Sequence, residues 1–465
     1  MDDIRKNIRR VFWLYFTLFA VLTIYLVKFL LIDSKGIITS QYNPRLKQQK
    51  SDVTRGDILD LSGNKLAYTD DSGKRIYPLG YAAAHAVGYY NAGSAGFYGA
   101  EAKYSFELQH VSSEIVQQVN HVISSSKIMG DSIVLTLDAQ LQTYIYNQLQ
   151  GYKAGAIILE PATGKLLAMV STPSFDPNTL SDNYSILTDD TEGSPLLNRA
   201  AQGKYPPGSV FKIVTAAAAL ELPSCADFSY TCTGEDFIGE KSIKCYNSTP
   251  HGNLKLSGAF AHSCNTFFSN IGILMGADFL RTISNRLYFN SILPFPLECG
   301  VSSFPLNKSS GSSEIVDTAI GQGKIMTSPL QIALITAAVA NNGVIMTPYI
   351  VDHIETYNGR TARKNMPIMA KHVFSSEISA SLTKMMIDVT EYGTGSQAAV
   401  SNIKIAAKTG SAQTPNGIDH GWFTAFFPAD NPQYVLCIVM ENIGGSSKVL
   451  PIGKNIIEHL TNLGK

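Results

Sequence analysis

One apolar run near the N-terminus constrains the fold of this chain more than any other feature of its sequence. Residues 11–32 are 22 positions with a single charged residue, Lys28. At about 1.5 Å per helical residue, this run matches the roughly 30 Å hydrocarbon layer of a bilayer. The sequence therefore predicts a transmembrane helix over residues 11–32, preceded by a cytoplasmic stub, residues 1–10.

The charges around this run predict its orientation. Four basic residues precede it, and only Lys35 is basic among the twelve residues that follow. Because basic residues favour the cytoplasmic side, we expect a cytoplasmic N-terminus and an extracytoplasmic chain after Asp33. A cleaved signal peptide, the alternative, has an apolar core of only about 7–15 residues and a small-x-small cleavage site. Residues 31–35 contain no such site, which favours an uncleaved anchor in the cell membrane.

Composition argues against one class of function and bounds the number of domains. Lys plus Arg and Asp plus Glu both number 37, and this balance argues against a nucleic-acid binder, which usually presents a basic surface. The 465 residues are enough for two or three domains. Residues 33–130 are polar and rich in Gly, Tyr and Ser, which predicts a small β-rich domain, here called the pedestal. Residues 131–465 have the pattern of a larger domain.

Strand and helix patterns alternate in this larger domain. Apolar residues at strand or helix spacing predict strands over 132–137, 154–159, 165–170, 404–407, 422–427 and 434–440, and helices over 139–150 and about 455–463. The strands lie at both ends of the domain, and a long helical region lies between them. This order predicts an α+β fold in which both chain ends build one antiparallel sheet between helices, with a helical subdomain in the middle.

A serine and a lysine lie three residues apart where the chain changes from loop to helix. Ser209 and Lys212 follow Pro206, Pro207 and Gly208, which favour a helix start. Positions i and i+3 share a helix face, and a serine hydroxyl needs such a neighbouring base to act as a nucleophile. The apolar residues that follow predict a buried helix. Taken alone, this segment fits a capping serine and a surface lysine better than a catalytic pair.

Two later segments change the interpretation of Ser209 and Lys212. They are Ser263-Cys264-Asn265 and, after a predicted strand, Lys408-Thr409-Gly410-Ser411. Ser-x-x-Lys, Ser-x-Asn and Lys-Thr-Gly in this order are typical of penicillin-binding proteins and class A β-lactamases.

Further segments carry a more specific resemblance. They are Arg55-Gly56-Asp57, Gly99-Ala100-Glu101, Asn198-Arg199-Ala200, Gly321-Gln322-Gly323 and His420-Gly421-Trp422-Phe423. With these segments and the anchor, the chain resembles a class B penicillin-binding protein over roughly residues 50–465. The resemblance implies the penicillin-binding transpeptidase fold, preceded by a dimerisation-type pedestal.

The resemblance also implies a role for each motif residue. Ser209 is expected to be the nucleophile, Lys212 its proton acceptor, and Ser263 a proton path to the leaving amine. Asn265 is expected to bond the substrate amide and Lys212, and Lys408 to supply positive charge. The substrate-binding residues are Thr409, which bonds the carboxylate, Gly410, which admits the substrate backbone, and Ser411, whose N–H forms the oxyanion hole with that of Ser209.

The implied function is cross-linking of peptidoglycan stem peptides that end in D-Ala-D-Ala, through a serine acyl-enzyme that β-lactams also form. The pedestal is too short for a glycosyltransferase domain, so the resemblance implies a separate membrane glycosyltransferase as partner. Three alternatives remain: a D,D-carboxypeptidase, a class A β-lactamase, and a non-enzymatic β-lactam sensor or scaffold. The anchor and pedestal oppose the β-lactamase, and the complete motif set opposes the scaffold.

A metal site is a further hypothesis, although the chemistry itself requires no cofactor. Cys232, Cys245 and His251 are ligand types that bind zinc, and Asp236 or a later residue is a candidate for the fourth position. Some class B members carry a structural zinc, so the resemblance allows one here. The alternative is a Cys232–Cys245 disulfide, which an extracytoplasmic location permits. Cys264 is expected to be a buried thiol.

Overall fold

The computed structural model describes residues 2–29, 53–90, 96–110 and 128–463. Its first element is helix α1 (Asp2–Lys28), of which Ile4–Lys28 is long and apolar enough to cross a membrane. The helix begins earlier than predicted because residues 2–10 contain no Gly or Pro to stop it, and residues 30–32 lie outside the described residues. A helix of this length and composition fits a single-pass membrane anchor.

Short elements form the pedestal. Its strands are β1 (Val53–Thr54), β2 (Ile58–Leu59), β3 (Lys65–Thr69), β4 (Arg75–Ile76), β5 (Tyr89–Tyr90), β6 (Phe97–Tyr98) and β7 (Ile128–Met129). Its helices are α2 (Ala84–Val87), α3 (Gly99–Lys103) and α4 (Ser105–Gln109).

The larger domain contains the longer elements. Its strands are β8 (Ser132–Leu135), β9 (Ala154–Leu159), β10 (Leu166–Thr172), β11 (Tyr230–Cys232), β12 (Glu235–Ile238), β13 (Lys241–Lys244), β14 (Gly252–Leu254), β15 (Val344–Met346), β16 (Val351–Glu355), β17 (Thr361–Lys364), β18 (Met369–His372), β19 (Ala406–Ala412), β20 (His420–Phe427) and β21 (Tyr434–Met440). Its helices are α5 (Ala139–Leu149), α6 (Leu180–Asp189), α7 (Lys212–Glu221), α8 (Leu256–Ala261), α9 (Asn265–Met275), α10 (Ala277–Arg286), α11 (Ser312–Ala319), α12 (Pro329–Ala340), α13 (Ser376–Glu391) and α14 (Val449–Leu463).

The central sheet of the larger domain has the strand order β10-β9-β21-β20-β19, and all neighbours are antiparallel. The prediction of one sheet built from both chain ends is therefore confirmed. Helix α12 packs on one face of β9, β20 and β21, and helix α14 packs against β20 and β21 from the other face. Each face has its own apolar core, which explains why the strand residues are buried on both sides.

A second sheet crosses the predicted domain boundary at residues 130/131. Its order is β17-β16-β8-β2-β3-β4, so pedestal strands pair with strands of the larger domain. Beside it, the Glu101 carboxylate, fully buried, accepts hydrogen bonds at 2.7 Å from both Arg55 Nε and Arg75 Nε. Burial alone would raise the pKa of Glu101, but the two guanidinium groups hold it below its ordinary value. The Arg55 and Glu101 motifs thus join to fix the pedestal.

Some predicted bounds differ from the structure. The strand predicted over 404–407 extends from Ala406 to Ala412 because it pairs with β20 along its whole length, from Ala406↔Phe426 to Ala412↔His420. The last helix begins at Val449 instead of about 455, since Pro451 falls in its first turn, where its missing N–H costs no hydrogen bond. The sequence pattern also predicts a helix over 113–124, at the end of the pedestal, and this segment lies outside the described residues.

Candidate active site

Ser209 lies in a single turn of 3-10 helix, Gly208–Phe211, that leads into α7. The sequence predicted that the α-helix starts at Ser209; it starts at Lys212, directly after the 3-10 turn that contains Ser209. Gly208 has φ +55°, and a Cβ there would lie 2.4 Å from the carbonyl oxygen of Ser411. Only glycine fits this close approach without strain, and it brings the Ser209 turn directly against strand β19.

Lys212 is fully buried at the start of α7. Its Nζ donates hydrogen bonds to the Ser263 carbonyl at 2.7 Å, to Asn265 Oδ1 at 2.7 Å and to Ser263 Oγ at 3.3 Å. Burial disfavours the ammonium form and lowers the pKa of Lys212 to about 8. Lys212 is therefore not a surface lysine, and its neutral form is accessible near neutral pH.

Ser263 and Asn265 lie in the tight connection between α8 and α9. Ser263 has φ +54°, a left-handed conformation that costs a non-glycine residue free energy. Cys264 caps α9, its sulfur accepting a bond from the Phe267 N–H. Asn265 Nδ2 donates to the Lys244 carbonyl at 2.8 Å, which leaves its Oδ1 directed at Lys212. The Ser-x-Asn spacing thus presents both side chains to one ammonium group.

Lys408 reaches the same serine from strand β19. Its buried Nζ donates to Ser263 Oγ at 2.9 Å and to the Thr409 carbonyl at 3.1 Å. Burial, and then the positive charge of Lys212, hold the pKa of Lys408 well below its ordinary value. Thr409 Oγ1 lies 2.7 Å from Thr394 Oγ1. The structure therefore brings the three motifs together around Ser263 Oγ.

A cleft of about 600 Å³ opens above these groups. Ser209, Ser263 and Asn265 line it, together with the predicted substrate residues Thr409, Gly410 and Ser411. Strand β19 is the last strand of its sheet in the part of the chain that the structure describes. An extended peptide can add to such an edge as a further strand.

Sequence reasoning gave no role to the residues that shape the ends of this cleft, although Gln322 lies in the Gly321-Gln322-Gly323 segment that carries part of the resemblance. Gln322 Nε2 donates to the Ser411 carbonyl at 3.2 Å, and Gln322 Oε1 accepts from the Gln413 N–H at 3.2 Å. The side-chain amide of Gln322 thus covers the outer edge of β19 beyond Ser411. Its flanking glycines both have positive φ, and this Gly-Gln-Gly pattern was the signal that could have drawn attention to it. Thr394 and Asp419 also line the cleft and belong to no recognisable motif.

Four potential metal ligands lie next to the active site. The ligand atoms of Cys232, Cys245, His251 and Cys264 are all within 4.8 Å of one another. Of the two alternatives for the fourth position, Asp236 is not in the cluster, since its carboxylate accepts hydrogen bonds from Tyr230 and Asn270, whereas a later residue, Cys264, is. Cys264, predicted as a buried thiol, is buried and lies in the cluster.

The spacing of these sulfurs fits a tetrahedral metal site. Cys232 Sγ and Cys245 Sγ are 3.7 Å apart and form no disulfide, and Cys245 Sγ and Cys264 Sγ are also 3.7 Å apart. Metal–sulfur bonds of about 2.3 Å in a tetrahedron place two sulfurs roughly 3.8 Å apart. A hydrogen bond from Cys264 lowers the pKa of Cys245, which favours the thiolate, the form that ligates metal.

Comparison with known proteins identifies the family. Residues 154–458 match the family model described as penicillin binding protein transpeptidase domain. The chain belongs to this family. It is 30% identical to the peptidoglycan D,D-transpeptidase PbpA of Mycolicibacterium smegmatis, over 91% of this chain and 92% of that protein. It is 28% identical to the peptidoglycan D,D-transpeptidase MrdA of Escherichia coli, over 83% of this chain and 71% of the relative.

A solved structure shows the same fold. The ceftriaxone acyl-enzyme complex of penicillin-binding protein A from Mycobacterium tuberculosis has a TM-score of 0.81 and 28% identity, and the match covers 88% of this chain and 98% of that chain. The class B penicillin-binding protein and the α+β fold predicted from the motifs are thus confirmed. So is the main predicted activity, that of a serine-type peptidoglycan D,D-transpeptidase.

Proposed function

We propose that Ser209 is the nucleophile of this penicillin-binding transpeptidase and that Lys212 is its general base. The observation that carries the assignment is the convergence on Ser263 Oγ, which accepts hydrogen bonds from both Lys212 and Lys408. Since the pKa of Lys212 is lowered to about 8, about a tenth of Lys212 is neutral at pH 7 and can accept a proton.

In the first step Lys212 takes the proton of Ser209, and Ser209 Oγ bonds to the carbonyl carbon of the penultimate D-alanine. The oxyanion that forms is stabilised by the backbone N–H groups of Ser209 and Ser411, each worth about 3–4 kcal/mol in comparable enzymes. The bond to the terminal D-alanine then breaks. Its nitrogen receives a proton through Ser263, and free D-alanine leaves with the acyl-enzyme formed.

In the second step an amine of a neighbouring stem peptide attacks the acyl-enzyme. Lys212 is neutral again because its proton has passed through Ser263 to the leaving D-alanine, and it now accepts the proton of the incoming amine. The ester bond to Ser209 breaks, Ser209 regains its proton, and a new peptide bond joins the two stems. Water in place of the amine would make the enzyme a carboxypeptidase.

The substrate is proposed to add to the free edge of β19, with its carboxylate beside Thr409 and Thr394. The hydroxyl pair at 2.7 Å can donate hydrogen bonds to an anion there, and an anion would in turn favour the charged form of the nearby Lys408. Gly410 lets the Ser209 turn lie close against β19, because a Cβ at this position would already be 3.1 Å from the Val210 side chain and backbone.

Product analysis tests this proposal. The full chain in detergent is incubated with a D-Ala-D-Ala peptide and an amine acceptor, and the products are separated by mass. We expect D-alanine release and an amine adduct, both lost in Ser209→Ala and both kept in Ser224→Ala, an exposed control outside the cleft. Release of D-alanine without any adduct would identify a carboxypeptidase, and no release would reject the enzyme assignment.

The anchor helix supports a proposal for topology and partner. We place residues 1–10 in the cytoplasm, residues 11–32 in the membrane, and the pedestal (33–130) and catalytic domain (131–465) outside. Because glycan strands must be polymerised where they are cross-linked, a membrane glycosyltransferase is the expected partner. Protease accessibility of the catalytic domain in intact spheroplasts tests the orientation; protection would contradict it.

A structural zinc is proposed for the cluster of Cys232, Cys245, His251 and Cys264. When bound, the ion would cross-link the β11–β14 region to the Ser263–Asn265 connection and would take no part in the reaction. Elemental analysis of purified protein should give one zinc per chain, lost in Cys232→Ser but kept in Cys225→Ser, a buried cysteine outside the cluster. Absence of stoichiometric zinc, with thiol titration showing two fewer thiols, would favour the disulfide.

A further inference from the structure

The catalytic cleft contains one carboxylate whose role the reaction does not explain. Among the cleft-lining residues that the structure describes, Asp419 is the only acidic one, and Lys244 is the only fully basic one. The backbone carbonyl of Asp419 is fixed by the N–H groups of Ile443 and Gly444, each at 3.0 Å. Its carboxylate has no ion-pair partner within 4.0 Å and no hydrogen bond in the described part of the chain. A carboxylate that extends from a fixed backbone and has no partner in a cleft is suited to bind a cation.

Asp419 lies at the opposite end of the cleft from the proposed carboxylate site. It directly precedes β20, whose first residue, His420, pairs with Ala412 at the end of β19. Thr409 is three residues earlier on β19, which corresponds to about 10 Å along a strand. The cleft therefore has the Thr394–Thr409 hydroxyl pair, proposed to bind the substrate carboxylate, at one end and the carboxylate of Asp419 beyond Ala412 at the other.

Gln322 limits how far a substrate backbone can follow β19 toward Asp419. Its amide already occupies the Ser411 carbonyl and the Gln413 N–H on the free edge. A peptide strand whose carboxylate lies at Thr409 can therefore pair only as far as Ser411. Beyond this point the cleft, lined there by Gly444, Gly445 and Ser446, is open to a side chain of the substrate.

The distance along β19 from Thr409 towards Asp419 determines which substrate residue can place its side chain at Asp419. The third residue from the carboxyl end lies two strand residues, about 7 Å, from the terminal one. A flexible side chain of about four carbons covers the remainder to Asp419. The chemistry of cross-linking also supplies the cation: the second step consumes an amine of a stem peptide, and donor and acceptor stems are the same kind of molecule. Every donor stem therefore carries an amine of its own.

We propose that Asp419 binds the side-chain ammonium group of the third residue from the carboxyl end of the donor stem peptide. This inference rests on the proposed function and adds a specificity determinant to it. A charge-assisted hydrogen bond to an ammonium contributes about 1.5–3 kcal/mol, and 1.4 kcal/mol corresponds to a factor of ten. The enzyme should therefore prefer a donor with a free ammonium by about tenfold or more in kcat/KM.

Two matched peptides test the proposal: Nα-acetyl-L-lysyl-D-Ala-D-Ala, and the same peptide with its side-chain amine acetylated. D-Alanine release is measured with the full chain in detergent micelles. The wild-type ratio of kcat/KM should be about ten or more in favour of the free amine, and Asp419→Asn should reduce it to about one. Asp419→Lys should instead favour a peptide whose side chain is succinylated and thus anionic. Asp430→Asn, an exposed site on the β20–β21 turn, should keep the wild-type ratio.

The outcomes separate this inference from the proposed function. If neither peptide releases D-alanine and penicillin forms no adduct at Ser209, the proposed function fails. If wild-type enzyme processes both peptides at the same rate, or if Asp419→Asn keeps the preference while Ser209 still reacts with penicillin, the role of Asp419 is refuted and the function stands. The charge-reversal variant also excludes misfolding as the reason, because it predicts a gain for the anionic peptide.

Discussion

Replacing Asn265 with Asp probes the proposed base without changing side-chain volume. Asn265 Oδ1 accepts a hydrogen bond from Lys212 Nζ at 2.7 Å, and the substitution places a carboxylate at that distance from a buried ammonium group. The negative charge stabilises the protonated form of Lys212, which cannot accept a proton from Ser209. The expected result is an enzyme that is slow at neutral pH and recovers as the pH is raised.

The distance sets the size of the effect. Two unit charges 2.7 Å apart interact by about 6 kcal/mol at an effective dielectric constant of about 20, which is an upper limit. Desolvation of the new carboxylate offsets part of this, and about 3 kcal/mol suffices to raise the pKa of Lys212 by about 2. From a starting pKa of about 8, the neutral fraction at pH 7.5 then falls from about a quarter to a few parts in a thousand. Acylation should slow by about 10²-fold.

The acylation rate is measured by stopped flow with a fluorescent penicillin from pH 6 to 10.5, and its pH dependence reports the pKa of Lys212. The wild-type rate should rise with pH through about 8, because the pKa of Lys212 is lowered to that value, and the midpoint should move upward in Asn265→Asp. Asn183→Asp, on the exposed face of α6, is the matched control and should follow the wild-type profile. A slow variant whose midpoint does not move would refute Lys212 as the base.

Three further predictions concern the scaffold. Arg199→Met leaves the Glu441 carboxylate without its 2.7 Å partner and should lower the free energy of unfolding by about 3 kcal/mol in urea denaturation. Gly208→Ala forces a Cβ toward the Ser411 carbonyl; acylation should slow by about 10²-fold, since displacements of about 1 Å have this effect. Burial lowers the pKa of His85 to about 4, below its unfolded value, so its contribution to stability is complete above pH 6.5 and is lost as pH falls toward 4. The free energy of unfolding of His85→Gln should therefore fall less between pH 7 and pH 4 than that of the wild type, by up to about 3 kcal/mol.

Each of these predictions has its own contrary result. Arg281→Met breaks an exposed ion pair and should lower the free energy of unfolding by at most about 1 kcal/mol. If Arg199→Met lowered it by no more than this, the burial of the Arg199–Glu441 pair would be unimportant for stability. Normal acylation by Gly208→Ala would show that the Ser209 turn tolerates movement. Melting temperatures of His85→Gln that fall between pH 7 and 4.5 as steeply as those of the wild type would assign the acid sensitivity to other groups.

Most of the sheet could be predicted because its strands are local and strongly patterned. The strand predicted over 434–440 has the same bounds as β21. The predicted bounds of β9 and β10, the hairpin that neighbours β21 in the sheet, agree with the structure to within two residues. The catalytic strand was predicted too short because Lys408 to Ala412 are not an apolar run. Pairing with β20 makes those residues a strand, and such long-range pairing leaves no signal in the local sequence.

The site was predictable as far as its motifs extend. Ser209, Lys212, Ser263, Asn265 and Lys408 have a fixed spacing, whereas the groups that set their electrostatics come from distant segments. Asp236 was a reasonable metal ligand by residue type, but its carboxylate is engaged by Tyr230 and Asn270, which only the fold reveals.

Cys264 is the converse case, a potential metal ligand that the sequence pattern did not identify. Within Ser-x-Asn it is the variable position, so the sequence gives no reason to group it with Cys232 and Cys245. The tight connection that turns Ser263 and Asn265 toward Lys212 directs the side chain between them to the opposite side. There its sulfur lies 3.7 Å from that of Cys245.

The central claim, that Ser209 is the acylated nucleophile, is tested most directly by peptide mass spectrometry. The full chain is incubated with a penicillin, digested, and searched for the mass of the opened β-lactam. We expect a single adduct on the peptide that contains Ser209 and none in Ser209→Ala. An adduct on any other residue, or its persistence in Ser209→Ala, would contradict the account.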